Sequence, residues 1–209
     1  MLETFLVAFT AFFATIGPQD AAVIFAALTP DLPNAERRRL ALRATAIGSA
    51  ILLFFAVFGE TLLSYLGISL AAMRTAGGVL LLLIAIDMVF ARVSGAASAT
   101  PAERAEAAVR DDISVFPLAT PLIAGPGAIG AAILLMADAR DAAEIAAVLS
   151  AMLSVLFIAY LLMLAASPVQ RLLGRTGAQV VARVLGVLLA ALAVQFIFDG
   201  VKESGLFSA

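Results

Sequence analysis

The feature that constrains this chain most is an apolar stretch, residues 116–134, which contains three prolines and three glycines. Pro126 removes a backbone hydrogen-bond donor, and Gly125 and Gly127 loosen the chain, so we expect a helix to break here. Backbone groups freed at membrane depth must find partners in protein or in a water-lined cavity. The break therefore has to lie inside a bundle, away from lipid.

A second break, Gly17-Pro18, lies in the middle of the first apolar run. Composition places both breaks in a membrane. Of the 209 residues, 63% are hydrophobic and 13% are charged, and the mean hydropathy is +1.09. A soluble domain is about half apolar and about a quarter charged. We therefore interpret the chain as an integral membrane protein.

Six apolar runs are long enough to cross a hydrocarbon core of ~30 Å, which needs roughly 20 helical residues. The runs are Leu2 to Leu28, Leu40 to Leu63, Ile68 to Ala91, Ile113 to Ala137, Ile145 to Ala166 and about Val180 to Phe198. The sequence thus predicts an all-α membrane protein with six transmembrane helices, of which helices 1 and 4 are broken at Gly-Pro near the midplane.

Matching positions indicate an internal duplication. A shift of 108 residues places Gly17-Pro18 on Gly125-Pro126, and a shift of 109 places Arg74 on Arg183. Each unit would have three spans, and an odd number of spans makes the second unit insert upside down relative to the first. Inverted repeats with broken helices at the midplane are typical of transporters.

The predicted organisation is a single membrane domain made of two three-helix repeats. The first repeat is residues 1–95 and the second is residues 113–209. Between them, residues 96–112 form a cytoplasmic linker. A short surface helix is expected in it, because Thr100-Pro101-Ala102-Glu103 has the pattern of a capping box.

Lysine and arginine predict the orientation of the chain. Ten of the 13 fall in the loops after spans 1, 3 and 5, whereas only Arg74, Arg140 and Lys202 fall on the other side. Cytoplasmic loops carry the excess of positive charge, so both termini are expected outside the cell membrane.

Two missing residue types exclude whole classes of chemistry. The chain has no cysteine and no histidine, which removes disulfides, zinc sites of these ligands and His-containing catalytic triads. An intramembrane enzyme would need an Asp pair, and Asp20 and Asp87 are predicted at different depths. We expect no enzyme activity, cofactor, metal or nucleic acid; the expected partners are membrane lipids and a small-molecule substrate.

The two breaks are the predicted substrate site. A helix that restarts at a proline points unpaired amides and the positive end of its dipole into the bundle, where they attract a carboxylate. A zwitterion such as an amino acid would fit, with a carboxylate or carbonyls for its ammonium group. The predicted substrate-binding residues are Gly17, Pro18, Gln19, Asp20, Gly125, Pro126, Gly127 and Ala128.

Other interpretations of these residues remain open. Each Gly-Pro can simply kink a helix, and the dipole alone can stabilise Asp20 in a first helical turn. Gly77-Gly78 and Gly186 favour close helix packing, and Thr15 is expected to hydrogen-bond its own helix. The residues proposed as gating or structural pairs are Arg74, Asp87, Arg183 and Gln195. Gln195 would face Arg74 together with Asp199, and Asp87 would either face Arg183 or act as a snorkelling residue at the membrane interface.

Four segments together resemble the MarC family of bacterial inner-membrane proteins over nearly the whole chain. These are LATPLIAGPGAIGAAIL, ERRRLALRAT, GISLAAMRTAGGVLLLLIAIDM and RVLGVLLAALAVQFIFDG. The resemblance implies six spans and a place beside amino-acid exporters, one branch being described as neutral amino-acid transporters. The family usually has Asp-Pro at the first break, with Gly-Asn two and three residues after the Pro. Here Gly17 precedes Pro18, and Asp20 and Ala21 follow.

The resulting hypothesis is a secondary transporter of a small metabolite, such as the neutral amino acids glycine or alanine. It would rock one repeat against the other around the paired breaks. The alternative is a non-transporting membrane protein that binds a lipid or a protein partner. Substitutions at Gly125 and Gly127 would then affect folding alone.

Overall fold

The computed structural model describes residues 1–29, 32–90 and 113–205, and within these ranges every regular element is helical. Seven α-helices are formed: α1 Leu2–Ile16, α2 Pro18–Leu28, α3 Asn34–Tyr65, α4 Leu70–Val89, α5 Pro126–Asp138, α6 Ala142–Leu164 and α7 Ala166–Glu203. The predicted surface helix in the linker lies outside the described residues. The all-helical fold predicted from the sequence is confirmed.

The chain breaks at both predicted places, but in different ways. At the first break Gly17 joins α1 to α2, and the two helices continue as one apolar span, Leu2–Ala26. At the second break a wide-turned segment, Ser114–Ile123, precedes α5 and meets it at an angle of 53°. We call this the double-proline segment, because Pro117 and Pro121 lie inside it.

Among the described residues, length and apolar composition give four helices able to cross a membrane, or five if the bent pair counts as one span. These cover the first five predicted runs. The sixth run lies within α7, which is not among the helices counted, so its membrane crossing stays a prediction.

Glycines bring α4 and α7 into close contact. A Cβ atom placed on Gly78 would lie 2.7 Å from the Ala193 carbonyl oxygen, and one on Gly186 would lie 3.2 Å from the Ala85 carbonyl oxygen. Helices in lipid gain little from the hydrophobic effect, so small residues that let backbones approach supply the van der Waals contact. The predicted packing role of Gly78 and Gly186 is confirmed.

These two contacts are reciprocal. Gly78 contacts Ala193 and Gly186 contacts Ala85; the two glycines are 108 residues apart, and so are the two alanines. Helix starts follow the same spacing. The α2 and α5 helices begin at Pro18 and Pro126, and α3 and α6 begin at Asn34 and Ala142.

The core lies between the two halves of the chain. On α3, Gly48 packs against Ile123 and Gly59 packs against Ile133, where a Cβ on either glycine would come 2.5 Å from an isoleucine carbon. Both isoleucines belong to the second half. The first half is therefore held to the second by direct side-chain packing along α3.

Candidate functional site at the two helix breaks

The first break is built by one left-handed residue. Gly17 has φ +58° and ψ +61°, a conformation that residues with a Cβ seldom adopt. Its N–H donates to the Phe13 carbonyl at 3.1 Å and so ends α1, while its own carbonyl accepts from the amides of Asp20 and Ala21 and so starts α2. Pro18 occupies the first position of α2, where no amide is needed.

Two polar side chains follow the first break. The side-chain amide of Gln19 is buried, and neither its nitrogen nor its oxygen has a hydrogen-bond partner among the described residues. Asp20 lies in the first turn of α2 and is exposed. A buried amide without a partner costs free energy unless something outside the described residues completes its hydrogen bonds. Gln19 is thus the stronger of the two indications of a ligand.

The second break is preceded by two residues whose backbone is extended rather than helical. Phe116 and Thr120 both have extended φ and ψ angles, and each is followed by a cis peptide bond to proline. The segment ends where the Ala124 amide donates to the Ala119 carbonyl at 2.9 Å. Gly125 then leads into Pro126, the first residue of α5.

The start of α5 presents amides without acceptors. The Ile129 amide donates to the Gly125 carbonyl, but the structure gives no acceptor, among the described residues, to the amides of Gly127 and Ala128. Both residues are buried. Two such amides at a buried helix N-terminus form an anion-binding arrangement that backbone geometry alone creates.

The two breaks meet. A methyl group placed on Gly127 would lie 3.6 Å from Thr15 Cγ2, and Thr15 is two residues before Gly17. Thr15 itself is buried and donates its hydroxyl to the Ala11 carbonyl at 2.8 Å, as expected from the sequence. The same methyl group would lie 2.4 Å from Ile84 Cδ1, so the α4 side chain covers the start of α5.

The proposed charged pairs are arranged differently from the prediction. Gln195 donates to Asp199, four residues along α7, at 3.0 Å, rather than meeting Arg74. Arg74 instead forms ion pairs with Asp138 at the end of α5 and Glu203 at the end of α7. Spacing alone did not reveal these carboxylates, because the helices that carry them end at the same face only in the folded bundle.

Asp87 and Arg183 are not joined by an ion pair, although both residues are described. Asp87 is half-buried near the end of α4, whereas Arg183 is exposed on α7. Their predicted pairing is therefore not seen.

Sequence reasoning missed Ile84 as part of the site. It is an ordinary apolar residue in an apolar helix, so no local pattern marks it. Only the approach of α4 to Gly127 gives Ile84 its position over the break.

Comparison with known proteins adds the family. The model of the MarC family of integral membrane proteins matches residues 2–204. This chain belongs to the MarC family. The MarC chain is 42% identical to a UPF0056 membrane protein of Methanocaldococcus jannaschii, over 96% of this chain and 97% of the relative. It is 34% identical to a UPF0056 membrane protein of Escherichia coli K12, over 95% of this chain and 91% of that relative.

No solved structure matches this MarC chain. The names of these relatives describe membrane proteins and give no substrate. Together with the long apolar helices, the family match makes this an integral membrane protein of the MarC family.

Proposed function

We propose that this MarC protein is a secondary transporter of a small zwitterionic metabolite, with a neutral amino acid such as glycine or alanine as the best-fitting class. The observation that carries the proposal is the contact of Gly127 with Thr15. This contact brings two helix breaks together inside the bundle, beside amides that have no acceptor among the described residues.

The proposed substrate follows from the polar groups at the breaks. The amides of Gly127 and Ala128 suit a carboxylate, and the Gln19 side chain offers both a donor and an acceptor. Asp20 would neutralise an ammonium group. Because Gly127 has no side chain, a ligand can approach its amide closely once Ile84 moves aside.

The proposed transport cycle uses two inverted three-helix repeats that rock against each other around the breaks. The reciprocal contacts of Gly78 and Gly186 support this arrangement, because a two-fold relation between repeats gives every contact a counterpart. A bacterial inner membrane with both termini in the periplasm is proposed from the distribution of arginine and lysine.

The test is thermal stabilisation of the purified protein by a panel of small molecules. Alanine and glycine are compared with propionate, which lacks the ammonium group, and with ethylamine, which lacks the carboxylate. A ligand at about 100 times its dissociation constant stabilises the folded state by roughly 2.7 kcal/mol. Stabilisation by a zwitterion but by neither fragment is expected.

Uptake of the same compound into proteoliposomes then separates transport from binding. A saturable flux is expected for any compound that stabilises the protein. Stabilisation without flux would favour the alternative of a non-transporting membrane protein. The absence of both would overturn the proposed substrate class.

A further inference from the structure

Arg74 lies where α4 begins and where α5 and α7 end. The Arg74 guanidinium donates from Nη1 to Glu203 on α7 and from Nη2 to Asp138 on α5. Arg74 itself is only 7% exposed, whereas the side chains of Asp138 and Glu203 are 40% and 48% exposed. We call the side of the bundle where these groups lie the Arg74 face.

The interface between α4 and α5 leads from the Arg74 face to the second break. Asp138 meets Arg74 at its outer end, Leu134 packs on Gly77 further in, and Gly127 meets Ile84 at the break. The two helices therefore run in opposite directions along one seam. Gly130 lies between Leu134 and Gly127 on α5. Apart from the neighbouring backbone of its own helix, a Cβ there would have one atom of the described residues, Met73 Cε, within 4 Å.

The two carboxylates that bind Arg74 are held differently. Glu203 lies on α7, and α7 is fastened to α4 by close contacts, including one of Gly200 with the Ala71 carbonyl oxygen, 2.8 Å from an added Cβ. Asp138 reaches Arg74 from α5. An opening along the α4–α5 seam would therefore break the bond to Asp138 and keep the bond to Glu203.

We propose that Arg74 and Asp138 form a gate that closes the route from the Arg74 face to the helix breaks, while Glu203 keeps Arg74 paired when the gate is open. A buried cation that lost every partner would be strongly unfavourable. With Glu203 in place, Arg74 keeps one charged partner throughout. The half-exposed Asp138 returns to water at little cost. The role of the route rests on the proposed transport function.

The test uses the absence of cysteine from the natural chain. Gly130→Cys places a single thiol in the seam, at a position where the packing leaves room for a Cβ atom. A membrane-impermeant maleimide is added from the Arg74 face of oriented vesicles, and the labelling rate is measured with and without Asp138→Asn. Glu60→Gln is the matched control. Like Asp138→Asn it removes one exposed carboxylate, but Glu60 lies on α3 and does not contact Arg74.

Asp138→Asn is expected to raise the labelling rate at least about fivefold, the factor that corresponds to about 1 kcal/mol in the closed–open equilibrium. Glu60→Gln should leave it unchanged. An unchanged rate in a folded Asp138→Asn protein would overturn the gate. So would a rise of equal size in the Glu60→Gln protein.

A second measurement covers the case in which Asp138→Asn does not fold. The pair is partly exposed, so raising NaCl from about 0.1 M to about 1 M screens it, and labelling of Gly130→Cys should accelerate. Leu66→Cys, an exposed position in the turn before α4, corrects for the effect of salt on the reagent. An equal salt response of both cysteines would overturn the gate.

The outcomes separate this inference from the proposed function. If the labelling rate depends on Asp138 but no metabolite shows a saturable flux, the proposed gate is supported and the proposed transport function is rejected. If a metabolite shows a saturable flux but the labelling rate does not change in Asp138→Asn, the transport function is supported and the gate is rejected.

Discussion

Gly127 lies against Thr15, so the start of α5 contacts the end of α1. These residues come from opposite halves of the chain and flank the two helix breaks. A methyl group on Gly127 would be in ordinary van der Waals contact with Thr15 at 3.6 Å but would overlap Ile84 Cδ1 at 2.4 Å. The site can therefore be probed by exchanging single methyl groups between neighbours.

Gly127→Ala is expected to destabilise the protein by about 1–3 kcal/mol through overpacking against Ile84. Ile84→Val removes the Cδ1 atom that the new methyl group would strike. The double variant should therefore recover most of the lost stability, measured as the midpoint of thermal unfolding in detergent. Both the single and the double variant should be stabilised only weakly by a zwitterion, because the added methyl group covers the amide of residue 127. Recovery of both properties together would contradict a binding role for Gly127.

Gly78→Ala is expected to destabilise the protein by about 1–3 kcal/mol, because the new methyl group would lie 2.7 Å from the Ala193 carbonyl oxygen, and backbone cannot move aside as a side chain can. Gly130→Ala is the matched control: it is also a buried helical glycine, but one with room for a methyl group. The control should be neutral or stabilising by up to about 1 kcal/mol, the helix propensity gained. Equal melting temperatures for the two variants would count against close packing of α4 on α7.

Gly17→Ala is expected to cost about 1–2 kcal/mol, because the left-handed conformation at φ +58° places a Cβ too close to the backbone. Gly17→Asn should cost less, since asparagine tolerates this region better. The measurement is the unfolding midpoint of both variants. If Gly17→Asn lowers the unfolding midpoint more than Gly17→Ala does, side-chain size rather than backbone conformation limits this position.

Asp20→Asn is expected to weaken stabilisation by a zwitterion while leaving the free energy of unfolding within about 1 kcal/mol of the parent, since asparagine has nearly the same size and shape as aspartate. The readout is the ligand-induced shift measured side by side with Glu3→Gln, another exposed acid in the first turn of a helix. A ligand response that survives in Asp20→Asn would remove this carboxylate from the site.

The sequence by itself determined the membrane helices, the two helix breaks and one of the packing contacts. Apolar runs of sufficient length required membrane helices, and Gly17-Pro18 and Gly125-Pro126 required breaks, because proline lacks a donor and glycine tolerates unusual backbone angles. The packing role of Gly78 was also readable, since small residues in apolar helices favour close approach.

Only the tertiary structure decided which residues meet. Ile84 covers Gly127, and Asp138 and Glu203 bind Arg74, although no spacing along the chain connects them. The physical reason is that an ion pair or a packing contact depends on how helices are oriented and where they end in the bundle. A break is a property of a few neighbouring residues, whereas a site between two breaks is a property of the whole fold.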